Sequence, residues 1–224
     1  MAFIVDDDQK VVQELLSQLP GKVKIVYFTR ELECQYCRET RQLLEEVVNL
    51  SNGKVELEIY NFITDKEKAE QFQIDKIPAT VIMREDKDYR IRYFGIPSGY
   101  EFSSLLEDIK QVAAGEPEVS EETKQLISRI DKPLHIQVFV TPTCPYCPSA
   151  VSLAHKLAML NDNITADMVE ATEFPHLAMK YNVRGVPRTV IGETYTIEGA
   201  LPEPLFVQKV LEGYRQIYPE TVKN

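Results

Sequence analysis

Four cysteines fall in two pairs of identical spacing, Cys34-Gln-Tyr-Cys37 and Cys144-Pro-Tyr-Cys147. Two thiols separated by two residues can close a disulfide on themselves and reopen it. The attacking species in such exchange is the thiolate. A cysteine at the first turn of a helix meets unpaired backbone N–H groups and the positive end of the peptide dipoles, and both favour that anion. The second cysteine then lies near enough to attack a mixed disulfide and release the product. On this reading Cys34 and Cys144 attack, and Cys37 and Cys147 resolve.

Other uses of cysteine fit the spacing less well. A zinc or iron–sulfur site built from four thiolates also takes two C-x-x-C pairs, but with about 15–20 residues between them. Here 106 residues, 38 to 143, separate the pairs, so no metal is expected. A secreted scaffold held by inert disulfides would be shorter and denser in cysteine. His135, His155 and His176 are scattered over different segments and suggest no histidine site. Tyr36 and Tyr146 read as packing or surface groups.

The elements that must hold the pairs repeat along the chain. The first cysteines lie 110 residues apart, Pro78 follows Cys34 by 44, and Pro187 follows Cys144 by 43. Around the prolines, Phe72-Gln-Ile-Asp-Lys-Ile-Pro-Ala-Thr-Val-Ile-Met83 matches Tyr181-Asn-Val-Arg-Gly-Val-Pro-Arg-Thr-Val-Ile191. Each pair follows an alternating apolar run, Val23–Phe28 and Leu134–Phe139, which predicts a strand. Ahead of each strand, apolar residues at helical spacing predict a helix: Val11, Val12, Leu15, Leu16 and Leu19, then Leu126, Ile127 and Ile130.

After the cysteines, the first half predicts helix 38–50, strand 55–60, helix 67–72, strands 80–83 and 89–94, and helix 101–112. The second predicts helix 149–160, strand 165–170, helix 174–181, strands 189–191 and 194–198, and helix 204–216. Residues 84–88 read as a long charged loop, and 191–194 as a tighter hairpin. Gly115 can end the helix before it and Pro117 cannot continue it, so the boundary falls there. The units are residues 1–115 and 118–224, and the short linker implies that they pack together. Each unit implies a central mixed β-sheet covered by helices on both faces, an α/β fold.

The 224 residues leave room for one large domain or two small ones. With 44% hydrophobic and 27% charged residues, the chain has a globular and not a disordered profile. Thirty-five acids against 25 bases give a net charge of −10, which argues against nucleic-acid binding. Apolar runs such as Ile25–Phe28 are far too short to span a membrane. The N-terminus lacks a basic stretch followed by a long apolar run, so no signal peptide is read and a cytoplasmic setting is expected.

Strand, C-x-x-C and helix, followed 43 or 44 residues later by Ile/Val-Pro-x-Thr, resemble the thioredoxin superfamily. Cys144-Pro-Tyr-Cys147 is similar to the glutaredoxin active site. Two such units resemble the protein disulfide oxidoreductases of thermophilic archaea and bacteria, two-unit relatives of protein disulfide isomerase. The resemblance implies two tandem thioredoxin-like folds. It implies that Pro78 and Pro187 are cis and packed opposite the cysteines, and that Ile77 and Val186 offer backbone groups to an extended client. It implies protein substrates carrying thiols or disulfides, no organic cofactor, and a thioredoxin-reductase-like flavoprotein as electron donor. A chaperone-like client-binding module and a dedicated electron donor to a peroxidase are the alternatives.

The chain departs from the thioredoxin pattern in two places. It has no Trp, and Glu33 and Thr143 stand where that family commonly has one before the first cysteine. Phe28 and Val138 replace the buried Asp six residues before it, which leaves the proton acceptor for the resolving cysteine unassigned. The two sites also differ in charge. Glu31 and Glu33 precede Cys34, partly offset by Arg38, whereas Thr141, Pro142 and Thr143 precede Cys144. Negative neighbours disfavour a thiolate, so Cys144 is expected to be the more acidic thiol. Thr143 or Cys144 is expected to cap the second helix, with Pro145 in its first turn.

Overall fold

The computed structural model describes residues 3–30 and 32–219. Glu31 therefore lies outside the described residues. The first half runs α1 (Asp6–Ser17), β1 (Val23–Thr29), α2 (Cys37–Leu50), β2 (Val55–Asn61), α3 (Lys66–Gln71), β3 (Ala79–Arg84), β4 (Lys87–Phe94) and α4 (Glu101–Ala114). The second half repeats that order as α5 (Glu121–Ile127), β5 (Leu134–Val140), α6 (Cys147–Leu160), β6 (Ile164–Glu170), α7 (Pro175–Lys180), β7 (Arg188–Ile191), β8 (Tyr195–Glu198) and α8 (Glu203–Ile217). The periodicities in the sequence located each element to within a few residues. Gly115 ends α4 in the left-handed region, φ +82°, and its N–H closes back on Gln111 O and Val112 O.

Alternation along the strands sets the layers. In β1, Val23, Ile25 and Tyr27 point to one apolar cluster, and Val26 and Phe28 to another. The first cluster is covered by α1, α2, α4, α5, α6 and α8, the second by α3 and α7. Both faces of the central strands are therefore buried, which is why β1 and β3 are apolar almost throughout.

The halves share one eight-stranded sheet of order β2-β1-β3-β4-β6-β5-β7-β8. The join is a parallel pairing of β4 with β6, in register from Ile91↔Ala166 to Phe94↔Val169. Without it, each half would leave a strand edge with unpaired backbone groups open to other chains. Fusing the edges satisfies the backbone of both and makes the packing expected from the short linker continuous. Among the described residues no helix is long and apolar enough to cross a membrane.

The hairpins differ from the expectation. Arg84 pairs with Lys87, so the charged segment is a tight turn through Glu85 and Asp86, with Glu85 at φ +53°. Ile191 pairs with Tyr195, so the second turn is the longer one, Gly192 to Thr194. Charge marked the first turn as solvent-exposed, but the strands on either side extend into it.

Candidate active site: two dithiols on one edge of the sheet

Strand directions decide where the cysteines go. β1 is antiparallel to β3, β3 to β4, and β4 is parallel to β6, which is parallel to β5. Strands β1 and β5 therefore run the same way and deliver both C-x-x-C motifs to one edge of the sheet. Four strand steps separate them, about 19 Å at roughly 4.8 Å per step.

Each motif is closed as its own disulfide, Cys34–Cys37 and Cys144–Cys147, with Cα atoms 5.5 Å apart in both. The four sulfurs are thus paired within motifs and not gathered on one centre. Among the described residues no three His, Cys, Asp or Glu side chains form a metal-binding group. In both motifs the helix proper begins at the resolving cysteine, which is 3% exposed at Cys37 and fully buried at Cys147. The attacking cysteine lies in the turn before it. In the second motif that turn is closed by Cys147 N–H donating to Cys144 O at 3.4 Å.

This turn corrects the expected cap. Tyr146 occupies the N-cap of α6 without a side-chain hydrogen bond, and Pro148 rather than Pro145 stands in the first turn. The turn takes up residues 144–146 before helical geometry starts, so the proline suited to N1 or N2 is the later one. In the first motif, Tyr27 hydroxyl donates to Cys37 O at 2.7 Å, and Thr40 hydroxyl to Tyr36 O at 2.7 Å. The first holds the start of α2 against β1, and the second closes the helix's own first turn. Glu33, at φ +59°, is paired with Arg30.

The register brings the prolines to the same edge. Ala79 pairs with Phe28 and Arg188 with Phe139, so Pro78 and Pro187 flank the strand ends that lead to Cys34 and Cys144. Both Ile77-Pro78 and Val186-Pro187 are cis. Pro78 O accepts from Gly95 N–H and Pro187 O from Gly199 N–H, each at 2.9 Å. Ile77 and Val186 are half-buried and lie just outside the ladders, which begin at Ala79 and Arg188.

Sequence reasoning missed the buried acids beside the motifs. Phe28 and Val138, where the thioredoxin pattern would place Asp, are fully buried and apolar. The loop between β4 and α4 instead crosses to the second motif. Tyr100 N–H donates to Pro142 O at 2.9 Å, and Gly99 sits at φ +62°, where a Cβ would collide with Pro142 O. The next residue, Glu101, is 1% exposed at the start of α4, the helix that packs on α6. Burial pushes its carboxyl up to about 7, against a lowering hydrogen bond from Ser104.

The reverse crossing occurs at the first motif. Glu170, the last residue of β6, and Glu173 after it line a cavity of about 190 Å³ with Tyr36, Glu39, Ile96 and Pro142. Glu173 Oε1 accepts from Ile96 N–H at 2.6 Å. Burial pushes Glu173 up to about 7, and the neighbouring Glu170 charge adds to the rise. A carboxyl that holds its proton longer when folded than unfolded stabilises the fold at low pH. That contribution disappears as pH rises from about 4.5 towards 7. Glu173→Gln keeps the acceptor for Ile96 and removes the charge. It should therefore stabilise the protein by ~1–3 kcal/mol at pH 8 and leave it nearly unchanged at pH 4. Urea unfolding at the two pH values checks this; an equal gain at both would contradict it.

Two segments of the chain match known families. Residues 134–212 match the thioredoxin domain family, and residues 9–97 match a domain of unknown function. A protein disulfide oxidoreductase from Aeropyrum pernix superposes with a TM-score of 0.88 at 28% identity, over 96% of each chain. A structure of the alkylhydroperoxide reductase AhpF from Enterococcus faecalis gives a TM-score of 0.85 over 93% of this chain and 99% of that one; at 24% identity the likeness is one of fold. Among curated proteins, the corresponding alkyl hydroperoxide reductase, AhpF, of Staphylococcus epidermidis is 28% identical over 168 residues, 75% of this chain and 30% of its own length. NADH dehydrogenase of Bacillus subtilis is 26% identical over 134 residues, 59% of this chain and 26% of its own length. The chain spans less than a third of these curated relatives.

Proposed function

We propose that this thioredoxin-like chain is a thiol–disulfide oxidoreductase that works through both dithiols, with residues 1–115 and 118–224 as its two redox units. The observation that carries the reading is the repeated constellation: strand, disulfide at a helix start, and cis X-Pro segment, twice on one edge of the sheet.

In the reducing direction the Cys144 thiolate attacks a client disulfide. The client S–S bond breaks, a Cys144–client disulfide forms, and one client thiolate leaves. Cys147 then loses its proton and attacks Cys144 Sγ. This forms the Cys144–Cys147 disulfide and frees the second client thiolate, so two electrons have passed from dithiol to client. Cys34 and Cys37 perform the same steps. Run backwards, the sequence oxidises a client dithiol, and release by another client thiol isomerises it. Ile77, Pro78, Val186 and Pro187 frame the surfaces on which an extended client segment lies beside each attacking sulfur.

Glu101 takes the proton of Cys147. The support is its burial, its carboxyl held near 7, and its place on α4 where the preceding residue bonds the loop before Cys144. A general base serves best with a pKa near the working pH. Glu39 and Glu173 are the carboxyls nearest to that role at the first dithiol.

Electrons come from a thioredoxin-reductase-like flavoprotein in a cytoplasmic setting of the kind the thermophile resemblance implies. The match to the staphylococcal alkyl hydroperoxide reductase over three quarters of the chain favours a second reading, donation to a peroxidase partner. Dithiothreitol-driven reduction of insulin by the full chain tests the main reading. Turnover should vanish when all four cysteines become Ser. Insulin kept soluble without turnover by both forms would support the chaperone-like alternative instead.

A further inference from the structure

A chain of five polar side chains, Glu101 among them and none more than 1% exposed, runs from Glu101 into the seam between the halves. Ser104 hydroxyl donates to Glu101 Oε2 at 2.7 Å. Tyr93 hydroxyl lies 3.5 Å from Ser104 Oγ and donates to Asp108 Oδ2. The same Oδ2 meets His155 Nδ1 at 2.5 Å, and the His155 ring stands edge-on to Tyr93, centroids 5.0 Å apart. Tyr93 comes from β4, Glu101, Ser104 and Asp108 from α4, and His155 from α6, so the chain crosses from one half to the other.

Helix α6 begins with Cys147. Cys147 and His155 lie eight residues apart, about 12 Å along the axis, and both belong to its buried face with Ala150, Val151 and Ala154. Burying five polar groups is costly unless they serve one another. Apolar residues would pack this seam at lower cost. Among the described residues, Glu101 Oε1, Asp108 Oδ1 and His155 Nε2 are buried without hydrogen-bond partners, so the set is not closed on itself as a purely structural network would be.

We propose that His155 and Asp108 are positioning residues for the second dithiol: packed with Tyr93 and Ser104 in one buried cluster, they set the charge of Glu101, and so the pH range in which Cys147 is deprotonated. This rests on Glu101 being the proton acceptor. The groups facing Glu101 act in known directions. The Ser104 hydrogen bond and His155 lower its carboxyl, and Asp108 raises it, on top of the rise from burial. Tyr93, pushed far up by burial and by Asp108, stays a neutral donor. Lys156 of α6 and Glu107 of α4 pair with each other at 3.9 Å on the same helix contact.

The test uses the full chain with Cys34 and Cys37 replaced by Ser, so that the second dithiol acts alone. Resolution of a mixed disulfide with a short peptide is followed against pH in single turnovers. His155→Asn retains a donor for Asp108 but cannot carry charge. It should move the pH midpoint up by roughly half a unit or more, because a lowering influence on Glu101 is lost. Ser104→Ala should move it the same way, and serves if the first variant does not fold. In a Glu101→Gln background neither should move the remaining profile, since the group they act through is gone. Midpoints unchanged in both variants, or an equal shift without Glu101, would overturn the proposal. A Glu101→Gln variant that keeps the wild-type titration would instead refute Glu101 as acceptor.

Discussion

Insulin reduction by the Cys144→Ser variant should fall several-fold further than by Cys34→Ser, because the more acidic thiol is the more ionised near neutrality and its lower intrinsic nucleophilicity takes back only part of that gain. The physical cause is local charge. Helix α2 carries Glu39 in its first turn, and Glu33 stands next to Cys34; α6 has no acid in its first turn. Acids there oppose the help that helix N–H groups give a thiolate. Arg30 offsets Glu33 from the surface, where salt screens the pair. Burial holds the Glu101 carboxyl near 7, so it adds little negative charge to the second half below neutrality. The difference between the variants should therefore narrow in high salt. A larger loss from Cys34→Ser would sink the assignment.

Phe94→Ala should cost about 3–5 kcal/mol, the usual range for emptying a buried aromatic site. Phe94 is 2% exposed, pairs with Val169 across the seam, and lies under the Lys76 ammonium, 3.7 Å from its ring centroid. Because one sheet runs through both halves, the loss should be felt in both. Amide hydrogen exchange under increasing denaturant should show β1 and β5 opening together in the wild type and at lower denaturant, still together, in the variant. Two separate transitions, with only the first half weakened, would show that the seam does not couple the units.

Much of the fold could be read along the chain because the signals are local. Alternation in Val23–Phe28 and Leu134–Phe139, helical spacing before them, and Gly115 after α4 each act within a few residues. The repeat doubled every such signal, and the offset between Cys34 and Cys144 placed both motifs at matching points. The hairpin lengths were misjudged because charge in Arg84–Asp88 reports solvent exposure and not where a ladder stops. The cap of α6 was misplaced because a disulfide-closed turn delays the helix by three residues.

The chemistry was legible from residue types and spacing: two dithiols, each at a helix start and each with its own downstream X-Pro. The absence of the usual acid from the strand before each pair was legible too. The buried acids of the seam emerge only from the packing of the two halves. The parallel pairing of β4 with β6 lays α4 against α6, so that Tyr100, next to Glu101, bonds Pro142 before the second motif, and Glu173 lines a cavity with Tyr36 and Glu39 of the first. Such contacts join residues more than forty positions apart, and their carboxyls are shifted by burial. Neither property leaves a mark on the residues next to them in the chain.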